Sequence, residues 1–264
     1  MPFSPKRFED YMADMQAIQE DVSDPVFLDM VREEVFDLLA SGAVDPSQID
    51  ELLDDFSIVF DREFTIFEDG IRDGYNRVLS LVNQRYSDLG EDMSTEMRLM
   101  RDVEKTNTLQ LGEYKQETID AIKEKIREGL LSDTPRSEIE DAIAAIDSRA
   151  AHYAKTLAGT HLMRYGNISR YGKAIQAGVT VFVYLGVLRD TTRNFCRAAL
   201  GNRYHIDDIL KFRNGNLEPV IENSGGWNCI HGWEPDPFAL EEEVTRGEMI
   251  EVQGSPGSLI ILAE

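Results

Sequence analysis

The chain has 264 residues, 42% hydrophobic and 29% charged, with a formal net charge of -22. That length buries a real core in one large domain or two modest ones, and that charge keeps nucleic acid away from most of the surface. No apolar run reaches the length of a membrane span, because the best one, Val179 to Leu188, holds Tyr184 and meets Arg189.

The opening residues, MPFSPKRFEDYMADM, lack the apolar stretch of a secretory signal, and two cysteines are too few for a disulfide scaffold. Both features point to a cytoplasmic origin. The charge is unevenly spread. Residues 1–150 carry 36 acids and 16 bases, residues 151–213 carry 3 acids and 10 bases, and residues 214–264 carry 10 acids and 1 base. The basic segment either balances the acidic half across an internal interface or offers a face to DNA phosphate or an acidic partner.

Up to about residue 175 the pattern is helix after helix. SDPVFLDMVREEVFDLLASG opens on Ser23 or Asp24 as cap, with Pro25 in the first turn and Gly42 as stop. Asp45-Pro46 then opens a short helix, PSQIDELLDDF. In the next segment Phe64, Phe67, Ile71, Tyr75, Val78 and Val82 follow at helical spacing and form a core-facing stripe. Residues 91–131 read as one or two long helices. Their first part has only Met93, Met97, Leu99 and Met100 as apolar residues, which suits a partner or an exposed position. The later part buries Leu111, Tyr114, Ile119, Ile122, Ile126 and Leu130. After SDTPRS another helix begins at Pro135 or Ser137, carries Ile139, Ala142, Ile143, Ile146 and Ala150 as its stripe, turns basic, and ends at Gly178.

The character then changes. Val179 to Tyr184 are six β-branched or aromatic residues in a row, which predicts a strand buried on both faces. Beyond it lies a loop-rich module with short strands, closed by a hairpin, EMIEVQ-GSPG-SLIILAE, whose turn is Gly254 to Gly257. The expected fold is α+β, mainly α: a helical region over 1–132, helices over 133–178 leading into the module, and a small Cys/His-containing α+β module over 179–264.

Both cysteines lie in that module. Cys229 and His231, two apart in GGWNCIHGW, share one side of an extended segment. Cys196 and His205 are nine apart across a turn at Gly201-Asn202. Together the four offer two thiolates and two imidazoles, a donor set suited to tetrahedral zinc, although the Cys196 end lacks the close pair of a zinc knuckle. Unligated packing of Cys196 and a Cys196–Cys229 disulfide are the other readings of the same residues. There is no phosphate-cradling glycine loop, nucleophile elbow or HExxH, so nothing selects catalytic residues.

The run from SDTPRSEIEDAIAAID through KTLAGT, AGVTVFVY and DTTRNFCRAALGNRYHIDD resembles the phage head morphogenesis, or Mu F-like minor capsid, family. Lys155-Thr156, Ala177-Gly178-Val179, Asp190, Cys196, Leu200 and Gly201 match its pattern. Arg193 takes the place of the first knuckle cysteine. In the closing His-Pro-x-Cys-Arg-Cys segment Cys229 matches the first cysteine and His231 stands for the last, a change compatible with a ligand. The resemblance covers about 135–235. It implies a structural virion component made in the host cytoplasm, not an enzyme: a minor head protein at or near the portal, assembled as an oligomer. Its partners would be the portal protein, the major capsid protein or packaged DNA, in head assembly and DNA packaging or delivery. Arg193, Arg197, Arg203, Lys211 and Arg213 are the contact candidates. A DNA-binding protein using residues 151–213 and a head decoration or connector subunit are the alternatives.

Overall fold

The structure, a computed structural model, describes residues 5–22, 49–90, 94–132, 134–240, 243–245, 247–251 and 259–263, the last two as backbone alone. The protein is mainly helical with a small antiparallel sheet, the α+β class expected. The helix expected over 23–42 lies outside the described residues.

Among the described residues four long helices dominate: α1 (Pro5–Val22), α2 (Ile49–Arg85), α3 (Ser94–Leu131) and α4 (Arg136–Gln176). The short helix expected from Pro46 does not stop at Phe56 but continues through the aromatic stripe as one element. Nothing between Phe56 and Phe64 breaks it, and Phe56 and Phe60 extend the stripe upstream by two turns. Residues 94–131 form a single helix, and the break at residues 132–135 falls where SDTPRS placed it. Met100 and Val103 are buried, so this part of α3 is not bare of core contacts. At the end of α4, Val179 N–H donates to Ala174 O at 2.9 Å, and Gly178 takes φ 76°, the left-handed turn that glycine adopts without strain.

The residues gather into two compact units, neither a continuous stretch of sequence. One unit comprises residues 20–73 and 106–158. Its core is the ladder Phe56, Phe60 and Phe64, with Tyr114 against Phe64 at 6.0 Å and the Tyr114 hydroxyl donating to Ala150 O at 2.7 Å. The pairs Arg127–Asp50 (2.9 Å), Lys123–Asp54 (3.9 Å) and Lys115–Asp61 (2.7 Å) descend α3 as they ascend α2, the register of two antiparallel helices. Each exposed pair adds little stability, about 0–1 kcal/mol, so the aromatic ladder carries the packing.

The other unit comprises residues 1–19, 74–105 and 159–264. Its sheet has the order β2-β1-β3, with β1 (Val181–Leu185) between β2 (Arg203–His205) and β3 (Gly232–Pro235), all antiparallel. A central strand has both edges paired and both faces covered, which is why the apolar residues Val181 to Leu185 run together there. Short helices α5 (Asn194–Ala199), α6 (Ile206–Ile209) and α7 (Val220–Asn223) link the strands. The expected hairpin forms from β4 (Gly247–Glu251) and β5 (Leu259–Ala263), and its turn lies outside the described residues.

Strand period decides what each face of β3 meets. Trp233 packs on Tyr184 at 4.5 Å and belongs to an aromatic group with Tyr204 and Phe212. Glu234 points to the opposite face, where it is fully buried. It accepts from Arg7 Nε at 2.8 Å and from the Tyr86 hydroxyl at 2.6 Å, with Arg170 at 3.6 Å. The Arg170 guanidinium lies 4.4 Å from the Tyr11 ring centroid and donates to Asn167 Oδ1 at 2.6 Å. Burial pushes the Glu234 carboxyl above its ordinary range, against the pull of Arg170 and Arg7. None of the described helices is long and apolar enough to cross a membrane.

Candidate metal centre

Three segments converge at the end of β1. The α5–β2 turn joins the strand at Tyr184, whose N–H donates to Asn202 O at 3.0 Å and whose carbonyl accepts from Gly201 N–H at 2.8 Å. This holds α5, and with it Cys196, beside Tyr184. The loop from Ser224 to Asn228 coils tightly, with φ 49° at Ser224 and φ 53° at Asn228, and delivers Cys229 and His231 just before β3 begins. Left-handed backbone at two non-glycine residues is sparsely populated, and here neighbours hold it: Ser224 N–H donates to Val220 O and Asn228 N–H to Thr160 Oγ1.

The side chains meet in the interior. Cys196 Sγ and Cys229 Sγ are 3.7 Å apart, both free thiols, and His231 Nδ1 is 3.7 Å from Cys229 Sγ. One donor atom from each of the three residues lies within 4.8 Å of the others, and all three residues are buried. Gly225 N–H donates to Cys229 Sγ at 3.2 Å. A Cβ on Gly225 would overlap Cys196 Sγ and come within 2.9 Å of Cys229 Sγ, so the absence of a side chain there is what lets the backbone cradle both sulfurs. The Tyr184 hydroxyl is 3.3 Å from Cys196 Sγ and 3.8 Å from Cys229 Sγ, with its ring parallel to that of His231.

The two sulfurs shift each other's titration in opposite directions. The hydrogen bond from Cys196 lowers Cys229 to about 4 against the opposing effect of burial, with His231 assisting. Cys196 moves the other way, because it donates to Cys229 and is itself buried. Burial also holds the Tyr184 phenol well above its ordinary value. The His231 Nε2 has no hydrogen-bond partner among the described residues. Two cysteine sulfurs and an imidazole, with a hydroxyl placed close by, form a donor set that could hold a metal ion.

His205, the fourth ligand expected from the sequence, is not part of this group. The β2 register sets it opposite Val181, at the far end of β1 from Leu185 and about 13 Å along the strand. There its Nδ1 accepts from Asp207 N–H at 3.3 Å and caps α6. Tyr184 and Gly225 are the members that sequence reasoning missed. Tyr184 reads as one more strand hydrophobe, and its place one residue before the end of the β1–β3 pairing shows only in the fold.

The five cationic candidates all have partners within the chain. Arg193 donates to Trp227 O at 2.6 Å. Arg197 donates to the carbonyls of Thr192, Arg189 and Asp190 at 2.9, 2.7 and 3.1 Å, closing the loop before α5. Arg203 pairs with Asp236 at 2.8 Å, Lys211 with Asp208 at 3.2 Å and Arg213 with Glu218 at 2.9 Å. The arginines around Cys196 therefore brace loop carbonyls.

The class defined by fold and site is a mainly helical α+β protein with a buried Cys-Cys-His cluster in its sheet-bearing unit. No known protein family, curated protein or solved structure matches this chain.

Proposed function

We propose that this protein is a structural component of a phage head: a minor capsid protein at or near the portal, acting in head assembly and in DNA packaging or delivery, with zinc at the Cys196, Cys229 and His231 cluster. The observation that carries the proposal is the burial of that cluster, with Cys196 1%, Cys229 7% and His231 3% exposed. A catalytic thiol must meet its substrate, whereas a closed thiolate–imidazole site ties chain segments together. Cys196 lies on α5 and Cys229 precedes β3, so a metal between them cross-links the two halves of the module around the central strand. The residues that match the head morphogenesis pattern, Asp190, Cys196, Leu200, Gly201 and Cys229, lie in these same segments.

Two measurements test this. Purified protein should carry about one zinc per chain by elemental analysis. Mass spectrometry of purified particles should find a few copies per head, recovered with the portal protein. Absence from particles would overturn the assignment to the head, and many copies per head would favour a decoration or connector subunit.

DNA binding through residues 151–213 is supported less well, because Arg193, Arg197 and Arg203 already have partners in the chain. A mobility shift at low salt that vanishes steeply as salt rises would revive it.

A further inference from the structure

The Cys196, Cys229 and His231 donors leave a tetrahedral ion one position short, and the Tyr184 hydroxyl lies within 4 Å of both sulfurs. We propose that Tyr184 Oη is the fourth ligand, giving a Cys196–Cys229–His231–Tyr184 metal centre with a phenolate in place of the usual third thiolate or second imidazole. This rests on the metal reading above and specifies its donor set.

Distances carry the inference. Metal bonds of about 2.3 Å to sulfur and about 2.0–2.1 Å to nitrogen and oxygen, at tetrahedral angles, place two sulfurs about 3.8 Å apart, sulfur and nitrogen about 3.6 Å apart, and sulfur and oxygen about 3.5–3.6 Å apart. The observed edges are 3.7 Å between the sulfurs and 3.7 Å from Cys229 Sγ to His231 Nδ1. From Tyr184 Oη they are 3.3 Å to Cys196 Sγ and 3.8 Å to Cys229 Sγ, one on each side of the tetrahedral value. The oxygen is closer to Cys196 Sγ than to Cys229 Sγ, yet within 4 Å of both.

The fold fixes that oxygen. Tyr184 is fully buried on the central strand, held by Trp233 at 4.5 Å, by Phe195 at 5.7 Å edge-on and by the parallel His231 ring at 5.8 Å. Its backbone is paired on both sides, to Asn202 and Gly201 of the α5–β2 turn and to Trp233 of β3. A side chain so confined presents its hydroxyl at one place, which is what a ligand requires. Two thiolates and one phenolate around a divalent ion leave one negative charge, and Arg193, anchored on Trp227 O, is the cation acting on Cys196.

On binding, each thiol still protonated and the phenol release their protons to solvent, and the ionised phenol has an ultraviolet spectrum distinct from the neutral one. The test is a zinc titration of the metal-free protein followed by difference absorption, with proton release measured in parallel. Tyrosinate absorption rising to saturation at one zinc per chain, absent from Tyr184→Phe, is the expected result. The variant should release one proton fewer per zinc and bind about 10- to 100-fold more weakly. Zinc bound with thiolate absorption but no tyrosinate band would overturn the role of Tyr184 and leave the metal centre standing. No zinc bound by the folded wild-type protein would overturn both. Because the wild-type spectrum decides the matter, a Tyr184→Phe protein that failed to fold would not remove the test.

Discussion

Arg193 donates through its guanidinium to the carbonyl of Trp227 at 2.6 Å, joining the start of the helix that carries Cys196 to the loop that carries Cys229. The bond is partly buried and charge-assisted, so it contributes more than an exposed ion pair. Arg193→Ala is expected to lower unfolding free energy by about 1.5–3 kcal/mol, seen as a reduced denaturant midpoint at unchanged slope. Arg193→Lys, which keeps the charge but loses the planar fork, should recover only part of it. An Arg193→Ala protein as stable as wild type would release this residue for contact with a partner.

Gly225 tests whether the cluster is a built site or a chance meeting of thiols. A methyl group there collides with both sulfurs, and because it is fixed to the backbone it cannot turn aside. Gly225→Ala should force Cys196 and Cys229 apart, abolish stoichiometric zinc binding and destabilise the protein by about 1–3 kcal/mol. Retained zinc binding in the folded variant would mean that the sulfurs do not face Gly225 as described.

The large features of the fold are legible in the sequence because each depends on local pattern. The spacing of Phe64, Phe67, Ile71, Tyr75, Val78 and Val82 calls for a helix, and all six are buried in one. The run Val179 to Tyr184 calls for a strand with both faces covered, and β1 lies between two others. The site is legible only in part, because convergence is a property of topology. Cys229 and His231 are close in sequence and meet; His205 has the right chemistry but the β2 register takes it to the other end of β1. Likewise no sequence period signals that Glu234 would face Arg7, Tyr86 and Arg170, since those residues lie far apart in the chain, on α1, just past the end of α2 and on α4.

That buried group predicts an asymmetry. Glu234 is the carboxylate that faces two guanidiniums, Arg7 at 2.8 Å and Arg170 at 3.6 Å. Removing Glu234 leaves the buried Arg170 without its carboxylate and Arg7 with Asp88 alone, at 3.1 Å, whereas removing Arg170 leaves Glu234 still held by Arg7 and by the Tyr86 hydroxyl. Glu234→Ala should therefore destabilise by about 3–5 kcal/mol. Arg170→Met, which refills the space among Phe8, Tyr11 and Tyr86, should destabilise less. Denaturant midpoints of the two single variants and the double decide the order, and an Arg170→Met protein less stable than Glu234→Ala would reverse the assignment of the key charge.

His161 should set the response of the protein to acid. It is 1% exposed, and burial, with the nearby Arg164 charge adding to it, lowers its imidazole from the usual 6.5 to about 3. In the unfolded chain the same imidazole titrates near 6.5. Above that pH neither state holds the proton, and His161 makes no difference to stability. Below it the unfolded chain gains a proton that the folded one refuses, so stability falls by about 1.4 kcal/mol per pH unit until the folded imidazole titrates. Between pH 7 and pH 5 this single group removes about 2 kcal/mol. His161→Gln removes the proton acceptor at similar size, so its stability relative to wild type should rise by that amount over the same interval. Urea denaturation of both proteins at pH 7 and pH 5 checks it. A difference between them that stays constant with pH would show that His161 takes up its proton alike in the folded and unfolded chains, as an imidazole open to water does.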